Sequence, residues 1–233
     1  NRSEMISETE EILDWKKIRF QNVNFSYNKE IIFENINFEI KNQEFIGIAG
    51  KTGSGKTTLL DMISLLLEPT KGNIFLDEIN ISSKKFKWQR KIAYVPQNIF
   101  LSEGSLMNNI VIKDDQTKID RERLEHILKI SCCNDFIKNI DQLINEKDKD
   151  TLVRLSGGQI QRIGIARALY QNPDLLLLDE ATNALDLETE QRLLINLKNE
   201  FKKKTIIIIS HKQSTLNFCD RILNIDNKSK ITI

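Results

Sequence analysis

A glycine-rich run near the start of the chain has residue types that could hold the phosphates of a nucleotide. Its members are Gly50, Lys51, Thr52, Gly53, Ser54, Gly55, Lys56 and Thr57. Glycines let successive backbone N–H groups curl around a phosphate, and a following helix would direct the positive end of its dipole at the same anion. Lys56 would reach the β- and γ-phosphates, and the Thr57 hydroxyl would bind Mg²⁺. We name residues 50–57 the phosphate loop; the alternative is a glycine-rich turn that matches by chance.

Two adjacent carboxylates follow an apolar run much later in the chain. Asp179 ends the run of four leucines at residues 175–178, and Glu180 comes next. Asp179 would hold Mg²⁺ directly or through water, as the usual partner of a phosphate loop. Glu180, one residue beyond the buried strand, is the candidate general base for an attacking water. The alternative is an acidic turn at a strand end, which becomes improbable beside a complete phosphate loop.

A second anion-binding pattern lies between these two motifs, at Ser156, Gly157, Gly158 and Gln159. It places a hydroxyl and two bare backbone positions at the start of a predicted helix. Since the chain already has one triphosphate site, we predict that this second pattern binds the γ-phosphate held by a partner copy. The alternative is a glycine-rich helix cap with no ligand. We name residues 156–158 the Ser-Gly-Gly turn.

Three further polar or aromatic residues are candidates for a role in the chemistry, and a fourth is not. Gln97 follows a predicted strand and could touch Mg²⁺ or the attacking water; the alternative is a polar loop residue. His211 also follows a strand and could contact the γ-phosphate, although a lone histidine is usually structural. Tyr27 could stack on an adenine ring or pack in the core. His126 lies in a charged helix and is given no role.

The positioning of these residues depends on alternating strands and helices, which imply a mostly parallel sheet with helices on both faces. The apolar pattern predicts strands near residues 18–25, 36–40, 44–49, 72–77, 91–95, 175–179, 205–210, 223–225 and 231–233. It predicts helices over residues 56–67, 124–128, 136–143, 156–169 and 187–201. Residues 98–172 are predicted to form an inserted helical lobe, in which the charged stretch 145–154 is a surface loop.

Composition narrows the class of protein. The 233 residues include 34 Lys and Arg against 33 Asp and Glu, a net charge of +1 that offers no global attraction for nucleic acid. The three cysteines lack a disulfide or zinc spacing and suit a reducing compartment. The sequence shows no apolar run of the ~18 residues that suggest a membrane span. The polar start, residues 1–16, is predicted to be a linker, and the absence of an initial Met suggests a piece of a longer chain.

The order of these motifs resembles that of the ATP-binding cassette (ABC) family, from about residue 18 onward. The matching segments are Tyr27, the phosphate loop, Gln97, residues 155–159, Asp179 with Glu180, residues 184–186 and His211. The resemblance implies an α/β fold: a P-loop NTPase (RecA-like) core, an N-terminal antiparallel β subdomain and an inserted helical subdomain. The expected nucleotide-binding domain is 17–233, with its core at 17–97 and 173–233 and the helical subdomain at 98–172.

The resemblance further implies ATP hydrolysis with Mg²⁺ by two cassettes that face each other head to tail. One cassette would supply the catalytic residues Glu180, His211, Gln97 and Lys56 and the metal ligands Thr57, Gln97 and Asp179. The other would close over the γ-phosphate with the Ser-Gly-Gly turn. The remaining nucleotide-binding positions that the resemblance implies are Tyr27, residues 50–55, Thr58, Gln159 and Asp186.

Within the family the chain looks like an exporter cassette, because residues 94–101 and 104–110 resemble the exporter pattern after the glutamine. We therefore expect a transmembrane domain in the same full-length chain and a place on the cytoplasmic face of a membrane. Two departures are Asn183, where serine is common, and the long charged stretch 145–154. The alternatives are an importer-type cassette, a soluble ABC ATPase that acts on nucleic acid or ribosomes, and a degenerate regulatory cassette. The transported substrate is not encoded here.

Overall fold

The computed structural model of the chain describes residues 15–111, 119–140, 155–226 and 231–232, which form two sheets with helices packed around them. The strands are β1 (Lys17–Tyr27), β2 (Glu30–Lys41), β3 (Phe45–Gly50), β4 (Lys71–Leu76), β5 (Ile79–Asn80), β6 (Ile92–Val95), β7 (Leu175–Asp179), β8 (Thr205–Ile209), β9 (Arg221–Ile225) and β10 (Ile231–Thr232). The helices are α1 (Lys56–Ile63), α2 (Lys85–Gln89), α3 (Leu106–Ile110), α4 (Arg121–Ile130), α5 (Gly157–Tyr170), α6 (Leu187–Glu200) and α7 (Gln213–Leu216). Short 3₁₀ turns cover Ile81–Lys84 and Cys133–Asp135.

The larger sheet has the order β10-β9-β3-β8-β7-β6, and all its pairs are parallel except β9 with β10. Strands β7 and β8 are buried along their whole length, as expected for apolar runs covered on both faces. The predicted mostly parallel sheet is confirmed. Because the carboxyl ends of parallel strands meet at one edge, β3, β6, β7 and β8 deliver the residues that follow them to the same place.

The smaller sheet is antiparallel, with the order β2-β1-β4-β5. The register of β1 against β2 shifts between Phe20 and Val23, which accounts for the irregularity in the apolar pattern of this strand. Strand β5 and helix α2 escaped prediction because both are very short. Helix α2 nevertheless buries Trp88, whose indole N–H donates to the Ile63 carbonyl over 2.8 Å.

The chain enters the fold earlier than the sequence indicates. Trp15, placed in the predicted linker, is 3% exposed and lies edge-on to Trp88 with 5.6 Å between ring centroids. The Lys16 backbone N–H donates to the Asp77 carboxylate. Residues 15 and 16 therefore pack with the domain, and the rest of the predicted linker lies outside the described residues. Residues 15 and 16 were predicted to be linker because the segment 1–16 is polar as a whole. The burial of one large aromatic side chain, Trp15, is enough to hold its end against the domain.

Helix α1 is shorter than predicted, since it ends at Ile63 and not near residue 67. Leu65 has a left-handed φ of 57°, and the N–H groups of Leu66 and Leu65 bond to the carbonyls of Asp61 and Met62. This is a Schellman ending with leucine in the place that glycine usually takes. The apolar residues keep their helical spacing beyond Ile63, but the backbone leaves the helical conformation there.

The predicted helical lobe contains α3, α4 and α5. Leu124, Ile127 and Leu128 of α4 are buried, in agreement with their spacing. Phe136, which the pattern placed in a helix, instead follows the 3₁₀ turn Cys133–Asp135. Leu143 of the same predicted helix and the charged stretch 145–154 lie outside the described residues. Among the described residues, no helix has both the length and the apolar character needed to cross a membrane.

Candidate nucleotide-binding site

The phosphate loop connects β3 to α1 through backbone conformations that favour glycine. Gly53 and Gly55 have φ values of 80° and 95°. A Cβ on Gly55 would come within 2.9 Å of the Phe33 ring, whereas a Cβ on Gly53 would meet nothing within 4 Å. The loop is therefore packed on its inner side and open at Gly53, and α1 begins directly after it at Lys56.

The polar groups inside the loop fit an anion. The Lys56 side chain is buried, and its Nζ donates to the carbonyl oxygens of Gly50 and Lys51 over 3.0 and 2.9 Å. Burial lowers the pKa of Lys56, and the nearby charges of Glu180 and Asp179 oppose that shift. Ser54 Oγ is buried with no hydrogen-bond partner among the described residues. A phosphate group would give the Ser54 hydroxyl a partner and the Lys56 ammonium, which has three protons to donate, a further acceptor.

The candidate metal ligands lie between α1 and the end of β7. Burial raises the pKa of Asp179, while hydrogen bonds from Thr57 and Tyr94 lower it. The Tyr94 hydroxyl donates to Asp179 Oδ2 over 3.1 Å. One carboxylate and one hydroxyl suit Mg²⁺, which keeps several waters and takes phosphate oxygens as further ligands. The described residues hold no cluster of three or more His, Cys, Asp and Glu side chains placed to bind a metal by themselves.

The Glu180 carboxylate is the point where the candidate catalytic residues meet. His211 Nε2 lies 3.0 Å from Oε1, and Gln97 Nε2 donates to Oε2 over 3.1 Å. Asn183 Nδ2 donates to the same Oε2 over 2.7 Å. Glu180 itself has a left-handed φ of 50°, a conformation that costs a non-glycine residue about 1–3 kcal/mol and persists where the surroundings enforce it. The fold thus brings Gln97, Glu180 and His211 together from the ends of β6, β7 and β8.

Tyr27 lies at the end of β1 with 44% of its surface exposed. Its ring meets Phe25 edge-on, and its hydroxyl is 3.5 Å from Thr58 Oγ1. The core-packing interpretation of Tyr27 is therefore wrong, because a core residue would be covered. Stacking on an adenine ring stays a prediction. Lys51 and Thr52 are exposed on the phosphate loop.

The Ser-Gly-Gly turn caps helix α5. Ser156 Oγ accepts from the Gln159 backbone N–H over 3.2 Å, and Gln159 Oε1 accepts from the Ser156 backbone N–H over 2.8 Å. In this reciprocal capping box the Ser156 hydroxyl oxygen accepts, and no acceptor for its proton lies among the described contacts, so the proton can be donated outward. Gly157 is exposed, and a Cβ there would make ordinary contact with the Ala184 side chain at 3.6 Å.

Gly158 serves a different purpose. A Cβ on Gly158 would stand 2.9 Å from the Ala184 carbonyl oxygen, so its bareness permits close packing within the chain. The same neighbouring segment is tied to α5 by the Ala184 N–H, which donates to Gln161 Oε1 over 2.9 Å. Asp186 caps α6 by accepting from the Thr189 N–H, a hydrogen bond that lowers the pKa of Asp186. Nucleotide contacts by Asp186 and Gln159 stay predictions.

Three residues of the site were missed from the sequence: Tyr94, Asp61 and Asn183. Tyr94 bonds Asp179 and also Asp61, and burial together with both carboxylates raises its pKa. Burial and the charge of Asp179 raise the pKa of Asp61. The available signal for Tyr94 was its place at the end of a predicted strand just before Gln97. For Asn183 the signal was its position three residues beyond Glu180, where a turn brings the two side chains together.

Comparison with known proteins identifies the family. The family model described as ABC transporter matches residues 33–183. An export ATP-binding/permease protein of Rickettsia bellii is 41% identical over 213 residues, which are 90% of this chain and 36% of that protein. The alpha-hemolysin translocation ATP-binding protein HlyB of Proteus vulgaris is 38% identical over 209 residues, 88% of this chain and 29% of that protein. The chain thus spans about a third of the length of these relatives.

A solved structure gives the same answer for the fold. A bacterial Atm1-family ABC exporter with ATP bound superposes with a TM-score of 0.85 and 29% sequence identity, covering 95% of this chain and 39% of that one. The chain belongs to the ABC transporter family and has the ABC ATPase fold. The members of this family are ATP-binding ATPases.

Proposed function

We propose that this chain is the ATP-hydrolysing domain of an ABC exporter, working as a head-to-tail pair on the cytoplasmic face of a membrane. The observation that carries the proposal is the convergence of Gln97, Glu180 and His211 beside the phosphate loop and Asp179. The exporter names and the greater length of the relatives support a transmembrane domain as partner in the same full-length protein. The names of these relatives favour export over an importer-type cassette.

Each side chain of the site has a role that follows from its chemistry. Lys56 and the N–H groups at the start of α1 would hold the β- and γ-phosphates. Thr57, Asp179 and Gln97 would hold Mg²⁺, which when bound neutralises charge that develops on the phosphates. Glu180 would take a proton from the attacking water, and His211 would stabilise charge at the γ-phosphate. Tyr27, at the rim, would stack on the adenine.

The second half of the site would come from another copy. The Ser-Gly-Gly turn presents the Ser156 hydroxyl, the open backbone at Gly157 and the positive end of α5 on the surface. A partner that faces the phosphate loop head to tail would place this turn over the γ-phosphate. The transported substrate would be selected by the membrane domain.

Mixing two defective variants tests this arrangement. Lys56→Met removes the phosphate-binding ammonium, and Gly157→Asp places a carboxylate where the partner's γ-phosphate would lie. An aspartate at the first turn of α5 suits the helix dipole, and the open surroundings of Gly157 accept its Cβ, so the variant should fold. We expect each variant alone to hydrolyse ATP poorly. Their mixture should be clearly more active, since one site of the mixed dimer has both an intact phosphate loop and an intact turn.

The controls separate the pairing from the chemistry. Activity of the unmodified chain should rise more than linearly with protein concentration. If the mixture is no more active than the sum of its parts while both variants fold, the two halves of the site do not come from different copies. If Gly157→Asp alone retains full activity, the turn takes no part in the reaction.

A further inference from the structure

The side chain of Asn183 lies in the site, against the Glu180 carboxylate. It is exposed, yet its Nδ2 makes the shortest of the contacts described for the Glu180 carboxylate, 2.7 Å to Oε2. The carboxylate is an acceptor, so the nitrogen end of the amide must face it. A hydrogen bond to an ionised acceptor is stronger than one between neutral groups.

The contacts around Glu180 are unequally divided between its two oxygens. Oε2 accepts from both Gln97 and Asn183, which occupy the two acceptor positions that a carboxylate oxygen offers. Among the described residues, Oε1 has one partner, His211 Nε2, at 3.0 Å. The open acceptor position for an attacking water is therefore on Oε1.

The donors also differ in where they come from. Gln97 follows β6 and His211 follows β8, whereas Asn183 belongs to the turn of Glu180 itself, closed by the Asn183 N–H on the Glu180 carbonyl at 3.1 Å. The single Nε2 of His211 cannot point at Glu180 and at a γ-phosphate together. Among the described contacts, the Asn183 side chain donates to Glu180 alone, and Asn183 lies in the same turn as Glu180.

We propose that Asn183 is a positioning residue, which fixes Glu180 by its Oε2 and leaves Oε1 to receive the proton of the attacking water. This inference rests on the proposed role of Glu180 as the base. In the step, an O–H bond of the water breaks and its proton goes to Oε1. The water oxygen bonds to the γ-phosphorus, the bond from that phosphorus to the bridging oxygen breaks, and ADP leaves with the electron pair.

Two substitutions of similar size test the role of the amide. Asn183→Leu removes the donor, and Asn183→Asp replaces it with an oxygen that repels Glu180. We expect kcat to fall about tenfold in the first, the effect of losing one hydrogen bond to a charged group, and further in the second. KM for ATP and the denaturation midpoint should stay unchanged, because Asn183 is exposed and touches no phosphate-binding residue in the described contacts. Asn199→Asp at the far end of α6 is the control for the added charge and should keep the original kcat.

A readout without nucleotide complements the kinetics. The side-chain amide resonance of Asn183 in the nucleotide-free chain should shift when Glu180 is changed to Gln, since its acceptor loses its charge. An unchanged resonance, or unchanged kcat in Asn183→Leu, overturns the inference. A fall in kcat matched by an equal fall in stability also overturns it, because the effect would then be structural.

The failure of this inference is distinguishable from failure of the proposed function. If Glu180→Gln hydrolyses ATP at the original rate, the base has been assigned wrongly and the role of Asn183 falls with it. If Glu180→Gln is inactive but Asn183→Leu is fully active, the base stands and only the positioning role is lost.

Discussion

The phosphate loop and the Ser-Gly-Gly turn both offer glycines at the start of a helix, but the glycines do different work. In the phosphate loop, Gly53 and Gly55 take positive φ values, so the backbone itself demands glycine. In the turn, Gly157 and Gly158 lie within the regular helix α5, where the backbone would accept any ordinary residue. There, the lack of a side chain is what matters. At Gly157 it leaves the backbone open to solvent, and at Gly158 it lets the Ala184 carbonyl pack closely.

The two regions also differ in what surrounds them. The candidate metal-binding carboxylate, the candidate base and a histidine lie beside the phosphate loop, at the ends of neighbouring parallel strands. The Ser-Gly-Gly turn has its own cap and the neighbouring segment at Ala184. One region therefore has the groups for chemistry, and the other offers a surface for an anion. This division is what a site shared between two copies requires.

The largest expected effect separates chemistry from binding at the phosphate loop. Glu180→Gln should lower the turnover of ATP by about 10²–10⁴-fold, the usual contribution of a positioned base, while the phosphate-binding groups stay intact. ATP should then hold two copies together, which size-exclusion chromatography with ATP and Mg²⁺ would show. Glu188→Gln, at an exposed position in the first turn of α6, is the control and should turn over normally. Hydrolysis at the full rate in Glu180→Gln would show that the region of the phosphate loop does not use Glu180 as its base.

The sequence predicts the regular parts of the fold well, for physical reasons. Strands β7 and β8 are buried from end to end, so each shows as a continuous apolar run. The cap of α5 was predictable because Ser156 lies where the apolar helical pattern begins. The end of α1 was not predictable, since Leu65 takes the left-handed conformation without the glycine that usually marks it.

The candidate site also has a part that the sequence predicts and a part that it does not. The predicted meeting of Gln97, Glu180 and His211 follows from strand order, since each comes within two residues of the end of a parallel strand. The contacts of three other residues were not predictable: Asp61 in a helix, Tyr94 in a strand and Asn183 in a turn. These contacts depend on where the side chains point, and one sequence does not specify that. Trp15 was missed because its burial against Trp88 depends on α2, a helix too short to predict.

A matched pair of alanine substitutions sharpens the comparison within the turn. Gly158→Ala forces a Cβ to 2.9 Å from the Ala184 backbone oxygen, and we expect it to lower the free energy of unfolding by about 1–3 kcal/mol. Gly157→Ala has room and should change stability by less than about 0.5 kcal/mol. Denaturant unfolding of both variants measures the difference. Equal stabilities would mean that the two glycines are not divided between internal packing and ligand access.

The smallest expected effect concerns how α5, the helix that carries the turn, is supported. The Asp135 carboxylate accepts from Arg162 of α5 at 2.9 Å and from Arg192 of α6 at 2.6 Å. The hydrogen bond from Arg192 is the main cause that holds the pKa of Asp135 below its ordinary value of 3.8. A carboxyl whose pKa is lowered by folding stabilises the folded state above its unfolded pKa. That stability is lost as the pH falls from about 4 through the folded pKa.

Asp135→Asn removes this contribution, because the amide carries no charge to titrate. We expect the variant to be slightly less stable than the original chain at pH 7, and the gap to close as the pH falls below about 4. Unfolding midpoints in urea from pH 7 to pH 3 measure the gap. A gap that stays constant over the whole range would show that the Asp135 charge does not support α5. The phosphate loop is held by backbone conformation and core packing and should show no such dependence on Asp135, so nucleotide binding at pH 7 should survive the substitution.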